Sequence, residues 1–395
     1  MTRDSWKARA ISACLPLLVD ANLERIDLVL ANGTVISEDV ERIKDQLGAR
    51  LELLSGSTLL VTGTSGFLFS YLVEAIAALN EQRLGQPCRV IAVDKVAPPD
   101  RLSYLANNSA FRFLQHDATQ PLELNERVDW IIHGASIASP TYYRRYPLQT
   151  IDVNVTGTRH MLELTHESSA RGMLFLSTSE IYGDPDPAFI PTPEDYRGNV
   201  SCTGPRACYD ESKRMGETLC MTYHRLYGTP VKIVRPFNVF GPGQWLEDRR
   251  IIPDLIKASR YREPLTLYSD GRASRSFCYA SDAVAAMLLI LLSDARGEAF
   301  NVGNDEEEIS IRDLASLMRE IAGPPWLEIE FKTSDDADYV TDNPQRRCPD
   351  LTRIRSRFSW QPKVSLAEGL RRTLLSYDEI AAPSGKSEAE AVPAS

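Results

Sequence analysis

Thr58-Leu-Leu-Val-Thr62, running on into Gly63-Thr-Ser-Gly-Phe-Leu68, decides how this chain folds. Five residues of apolar and β-branched character read as a short buried strand. Glycines at 63 and 66 then mark a tight turn. Beyond it Leu68, Leu72, Ile76 and Leu79 recur at the spacing of one helical face. In a strand–turn–helix of this kind the helix N-terminus offers free N–H groups and a partial positive charge. Residues without a Cβ let a phosphate come close to them. One position breaks the pattern. Three residues after Gly66, where a third glycine would let the helix pack closely on the sheet, stands Phe69. Its ring must push the helix away or point elsewhere, so the grip on a bound nucleotide is in question at that point.

Further buried-strand candidates follow at 89–94 (RVIAVD), 111–114 (FRFL), 129–135 (DWIIHGA), 172–178 (GMLFLST) and 231–236 (VKIVRP), with helical patterns between many of them. This alternation is the mark of an α/β fold with a doubly wound parallel sheet. Asp94 closes the second strand, where a carboxylate can accept hydrogen bonds from a ribose diol and repel a 2′-phosphate. The turn and Asp94 together point to NAD rather than NADP as cofactor, although Lys95 stands beside that acid. Residues 57–238 therefore read mainly as a dinucleotide-binding domain. Past Arg235 the pattern turns irregular and rich in Pro, Gly and Arg. Residues 239–380 read mainly as a smaller C-terminal substrate-binding lobe over the carboxyl ends of the strands, with strands returning to the first domain. Residues 1–56 form a helical N-terminal extension without a catalytic motif, and 381–395 a polar, disordered tail.

The 395 residues carry a net charge of −10 and no basic stripe, which argues against a nucleic-acid partner. Seven scattered cysteines, with no CxxC pair and no histidines clustered near them, read as reduced thiols and leave no metal site. No apolar run is long enough to span a membrane. Ala10–Val19 faintly resembles a secretory leader but stops at Asp20 without a cleavage pattern, so the expected location is the cytoplasm.

Tyr209 and Lys213 stand four residues apart in Cys-Tyr-Asp-Glu-Ser-Lys and project from one face of a helix. A lysine ammonium nearby would favour the phenolate of a tyrosine that otherwise titrates near 10. Thr178, closing GMLFLST, supplies a hydroxyl at a strand end as the third partner.

The ordered set TGTSGF (62–67), HGAS (133–136), NVTGT (154–158), STSEIYG (177–183), YDESK (209–213) and RPFNVFGP (235–242) resembles the extended short-chain dehydrogenase/reductase family. The likeness covers about residues 57–378. It implies a Rossmann-type domain that binds NAD, a lobe that binds a nucleoside-diphosphate sugar, and a homodimer paired through the Tyr/Lys helix and its neighbour. Within that family, Thr178-Ser179-Glu180 followed by Ile-Tyr-Gly-Asp-Pro resembles the UDP-glucuronate decarboxylases. So do GPRACYDESKR (204–214) and GRASRSF (271–277), the latter placing Arg275 where that group carries a functional arginine.

That resemblance implies catalytic roles for Thr178, Ser179, Glu180, Tyr209, Lys213 and Arg275. The cofactor would lie on Gly63, Ser65, Gly66, Phe67, Leu68, Asp94, Asp117, Ala135, Tyr209 and Lys213. Tyr142, Asn238, Arg250, Arg275 and Arg347 would hold the substrate, with Arg250 and Arg347 as diphosphate clamps. The implied reaction is NAD-dependent decarboxylation of UDP-glucuronate through a C4 ketone, giving UDP-xylose or UDP-4-keto-pentose. Should Phe69 loosen the cofactor, the keto product would leave before hydride returns. Two other readings stay open: a nucleotide-sugar 4-epimerase or 4,6-dehydratase, and a non-catalytic NAD-binding module.

Overall fold

In the computed structural model, residues 34–323, 328–332, 341 and 343–381 are described. The leader-like stretch 10–19, the rest of the extension up to residue 33 and the tail from 382 lie outside them.

Seven parallel strands form the main sheet. They are β1 (Thr58–Thr62), β2 (Arg89–Asp94), β3 (Phe111–Gln115), β4 (Trp130–His133), β5 (Gly172–Leu176), β6 (Val231–Pro236) and the strand Glu298–Val302. From one edge to the other the order is Glu298–Val302, β6, β5, β4, β1, β2, β3. The direction of winding reverses between β1 and β4, and a crevice opens there at the strands' carboxyl ends, where such sheets bind ligands. All five residues of β1 are buried, as a central parallel strand covered on both faces requires. The strands expected at 58–62, 89–94 and 231–236 match residue for residue. The run expected to reach Thr178 pairs only as far as Leu176, because Thr178 turns to cap the short 3-10 turn Ser179–Tyr182, accepting from the Glu180 amide at 3.2 Å.

The Gly-turn helix, Phe67–Gln82, covers one face of the sheet beside the helix Ala280–Leu291. Every residue of the latter is buried, and its sequence, ASDAVAAMLLIL, is apolar on all sides. What lies over its outer side is the helix Thr34–Leu47, with Val35, Ile36, Val40, Ile43 and Leu47 buried. Removing each of these side chains from water contributes roughly 1.5–3 kcal/mol. Between them sits Asp39, fully buried. It accepts hydrogen bonds from Tyr71 and Tyr279 at 2.8 Å each and from Arg372 at 2.8 Å. The described part of the N-terminal extension is thus a third layer, pinned to the first domain by Tyr71, to the lobe by Tyr279 and to the last helix, Leu366–Ala381, by Arg372.

Past residue 239, the helices Ile251–Tyr261, Ile311–Ala322 and Leu366–Ala381 build a second core, with Leu255, Ile256, Leu314, Met318 and Leu370 inside it. Two segments of this region, Ala280–Leu291 and Glu298–Val302, return to the first domain.

Candidate active site

A cavity of about 830 Å³ runs from the Gly-rich turn, across the crevice, to the start of the helix Ala207–Tyr227. Gly63, Ser65, Gly66, Phe67, Leu68, Asp94, Asp117 and Ala135 line one half of it. Tyr142, Thr178, Ser179, Glu180, Tyr209, Asn238 and Arg250 line the other.

The first half fits a dinucleotide. Gly63 has φ +82°, and a Cβ there would sit 2.9 Å from the Gly134 and Ala135 backbone, so only glycine permits the turn. The Asp94 carboxylate takes the amides of Ser65 (2.8 Å) and Val96 (3.2 Å), which fixes it at the mouth of β2 with lone pairs left for a diol. Lys95, the one cation beside Asp94 in sequence, is paired with Asp117 at 2.8 Å. That pairing leaves little positive charge for a 2′-phosphate and agrees with NAD. Below the turn, His133 is buried between the hydroxyls of Thr62 (2.8 Å) and Thr158 (3.2 Å), and burial pushes its imidazole down to about 3. It is a neutral structural group.

Phe69 resolves the missing third glycine by pointing elsewhere. Its ring lies across Gly134, where a Cβ would meet Phe69 Cε2 at 1.7 Å. The space a side chain at 134 would need is filled by the phenyl ring, and Phe69 is 3% exposed. The helix keeps its place because the bulk has moved from one wall of the contact to the other.

In the second half Tyr209 is buried at the start of its helix, stacked on Tyr143 with ring centroids 5.0 Å apart and planes 8° from parallel. Burial pushes the Tyr209 phenol up, while the Thr178 hydroxyl, hydrogen-bonded to it, and the charge of Arg250 pull it back. Lys213 is 2% exposed and donates to the Leu176 carbonyl at 2.7 Å, outside the cavity lining. Burial lowers its ammonium to about 7. A cation whose field reaches the phenol is Arg250, itself held by Asp248; the sequence pattern points to Lys213.

Glu180 projects from the turn after β5 into a nest of arginines. Arg347 grips both its oxygens, one of them at 2.6 Å, and Arg206 takes one as well. Burial draws the Glu180 carboxyl upward, but Arg206 and Arg347 outweigh it and hold the group well below the usual carboxylate range. Arg275 stands in register with Arg347 on adjoining strands. It is buried, bound to the Ser274 carbonyl (2.7 Å) and to Asn343 Oδ1 (3.0 Å), and burial followed by the charge of Arg347 lowers it to about 9. Arg275 and Arg347 lie behind Glu180 and not on the cavity wall, whereas Arg250, the other expected clamp, lines the cavity. Asn238 has φ +39° and donates to the Ser276 carbonyl at 2.9 Å.

Sequence reasoning missed three residues here: Arg206, which caps the helix and grips Glu180, Trp245, stacked on Tyr142 at 5.8 Å, and Asp248. Arg206 was legible as part of the GPRACY run; Trp245 and Asp248 lie in the irregular stretch where periodicity carries nothing.

A parallel sheet wound both ways, a glycine turn fitted to a dinucleotide, and a Thr–Tyr pair with a buried lysine define an NAD-dependent enzyme. The chain belongs to the NAD dependent epimerase/dehydratase family, whose model matches residues 59–303. It is 38% identical over 321 residues to UDP-glucuronic acid decarboxylase 1 of Arabidopsis thaliana, spanning 81% of this chain and 69% of that one. Against the protein of that name from Xenopus tropicalis it is 36% identical over 356 residues, 89% of this chain and 80% of that one. Among solved structures it resembles the UDP-glucuronic acid 4-epimerase of Bacillus cereus in complex with UDP-glucuronic acid and NAD. There the TM-score is 0.66 and the identity 26%, over 82% of this chain and 99% of that one.

Proposed function

We propose that the protein decarboxylates UDP-glucuronate by way of a C4 ketone, giving UDP-xylose when hydride returns to C4 and UDP-4-keto-pentose when the ketone leaves first. The observation that carries this reading is the arginine nest. Arg206, Arg275 and Arg347 stand behind Glu180, next to Thr178 and Tyr209, and their three positive charges exceed its single negative one, a local excess that suits a substrate bearing a carboxylate. The decarboxylase relatives, matched over 81% and 89% of this chain, point the same way.

NAD, held by the Gly63–Gly66 turn and Asp94, would supply the acceptor for the C4 hydride and its donor on the return. Tyr209 takes the proton of the 4-hydroxyl, with Thr178 sharing the hydrogen bond so that the phenolate is tolerated in its buried place. Once C4 is a ketone, the carboxylate on C5 is β to it, and loss of CO₂ leaves an enolate rather than a bare carbanion. Thr178 and Tyr209 donate to the enolate oxygen as its charge develops. Ser179 and Glu180 position the carboxylate and a proton-carrying water, and Arg275 fixes that side of the site. Arg250, lining the cavity, meets the diphosphate; Arg347 is spent on Glu180. Lys213, which donates to the Leu176 carbonyl, would hold the cofactor's ribose.

The enzyme works in the cytoplasm as a homodimer in this reading. Leu148, Ile151 and Met215 are exposed on two helices that pack together, Pro147–Asp152 and Ala207–Tyr227, an apolar face suited to a second copy. Sedimentation of an L148E/M215E variant as monomer, against a dimeric parent, tests this; equal mass for both refutes it.

The reaction is tested with purified protein, UDP-glucuronate and NAD, following nucleotide-sugar mass and absorbance at the NADH band. A mass loss of CO₂ is expected. An isomer of unchanged mass would mean an epimerase, and an unchanged substrate would end the assignment.

A further inference from the structure

Decarboxylation consumes one proton per turnover, and the water positioned by Ser179 and Glu180 needs a group from which to draw it. The C5–C6 bond breaks, its electron pair enters the C4–C5 enolate, and CO₂ departs. C5 must then form a bond to hydrogen before C4 can be a ketone again and accept hydride. Tyr209 is committed, since the proton it took from the 4-hydroxyl belongs to O4 on the return. Glu180, gripped by Arg347 and Arg206, is a fixed carboxylate and has no proton to give.

Next to Tyr209 on the helix, behind Arg206, lies Asp210. It is 4% exposed, its Oδ2 stands 3.7 Å from Arg206 Nε, and its Oδ1 has no hydrogen-bond partner. Arg206 Nε and Arg347 Nε, on either side of Glu180, are likewise buried without partners. Buried polar atoms in native proteins nearly always find a partner, protein or water. Three unsatisfied polar atoms around one carboxylate call for partners of the kind that buried water supplies.

We infer that Asp210 is the proton reserve for C5, acting through water held between Arg206 and Glu180; the inference rests on the decarboxylase reading. The water gives its proton to C5, Asp210 reprotonates the water and becomes a carboxylate, and solvent restores Asp210. The groups facing Asp210 are Glu180 from the turn after β5, Arg206 and Tyr209 from its own helix, Arg347 from the strand Arg346–Arg347, and Tyr143 from the helix Pro140–Arg145. Burial, and then the fixed charge of Glu180, raise the Asp210 carboxyl to about 7 against the pull of Arg206 and Arg347, so that a protonated and an ionised form coexist at neutral pH. As a residue acting through water, Asp210 is a positioning residue and not a catalytic one.

The test uses the full chain with NAD and UDP-glucuronate, comparing wild type, D210N and D210E. Asparagine keeps the shape and neutrality of a protonated Asp210 but has no proton to release. In D210N, CO₂ release and the rise of NADH absorbance should stay within about threefold of wild type. Formation of the reduced pentose should fall by about 10²–10⁴-fold, the range of general acid catalysis, and the unprotonated enolate should build up on the enzyme or leave as its enol, which solvent then converts to the 4-ketone. D210E should recover part of the loss. In wild type, deuterium uptake at C5 from D₂O should fall tenfold per pH unit above about 7 while C4 oxidation does not. A D210N enzyme with wild-type pentose formation overturns the inference, and so does C5 uptake that stays flat from pH 6 to 9 in wild type. The second measurement needs no variant and stands even where D210N fails to fold. A wild type that releases no CO₂ fails at the earlier step and removes the decarboxylase reading itself.

Discussion

The contact between Phe69 and Gly134 predicts a sign reversal that a double-mutant cycle can read. Carbon atoms in good contact sit about 3.5–4.0 Å apart, and a Cβ on residue 134 would lie 1.7 Å from Phe69 Cε2. Gly134→Ala must therefore displace the ring by roughly 2 Å, and overpacking a filled core costs about 1–3 kcal/mol. The Gly134 φ lies outside the left-handed range, so alanine itself suits the backbone there. Phe69→Ala opens a cavity and costs about 3–5 kcal/mol. With Phe69 already gone, the added methyl enters empty space, and G134A should then cost nothing or return a few tenths of the loss. The expected coupling is about 1–3 kcal/mol, read from urea denaturation of the four proteins with and without NAD. If G134A costs the same in both backgrounds, the two residues do not share one volume and the account of the missing third glycine is wrong.

Three further outcomes follow from the geometry. Tyr209→Phe should abolish NADH formation on mixing with UDP-glucuronate, by a factor of about 10²–10⁴, while leaving NAD binding by calorimetry intact. Asp39→Ala strands Arg372 and two tyrosine hydroxyls in the core, and loss of one partner of a buried ion pair costs about 3–5 kcal/mol, visible in chemical denaturation. Lys213 titrates near 7 when folded and about 10.4 when unfolded, so between those values the unfolded chain binds the extra proton. Wild-type stability should thus rise with pH from about 7 to 10 relative to K213M; parallel curves for the two proteins would contradict the burial of a bare ammonium.

The sequence told the first domain well because its physics is local. β1 and β6 are runs of buried residues bounded by turns, and the helix after Gly66 shows its face in four leucine and isoleucine positions. Two elements escaped. Glu298–Val302 reads EAFNV, with a glutamate and an asparagine in five residues, and is a strand only because β6 offers it an edge. Ala280–Leu291 is apolar on every side, which gives periodicity nothing to register. Thr178, Tyr209 and Glu180 were legible as residue types and do line one cavity. Their charge states were not. That Arg347 faces Glu180, and that Lys213 turns to a backbone carbonyl, depend on contacts 167 and 37 residues apart, which no local spacing encodes.

The third layer has a consequence for anyone trimming the chain. The family match begins at residue 59, yet the helix that roofs Ala280–Leu291 ends at residue 47. Cutting at the homology boundary would leave an apolar wall bare to water and deprive Tyr71, Tyr279 and Arg372 of their common anchor. Such a fragment would keep every residue named in the chemistry and still be drawn toward aggregation. What identifies this protein and what covers the apolar wall of Ala280–Leu291 are encoded in different stretches of its sequence.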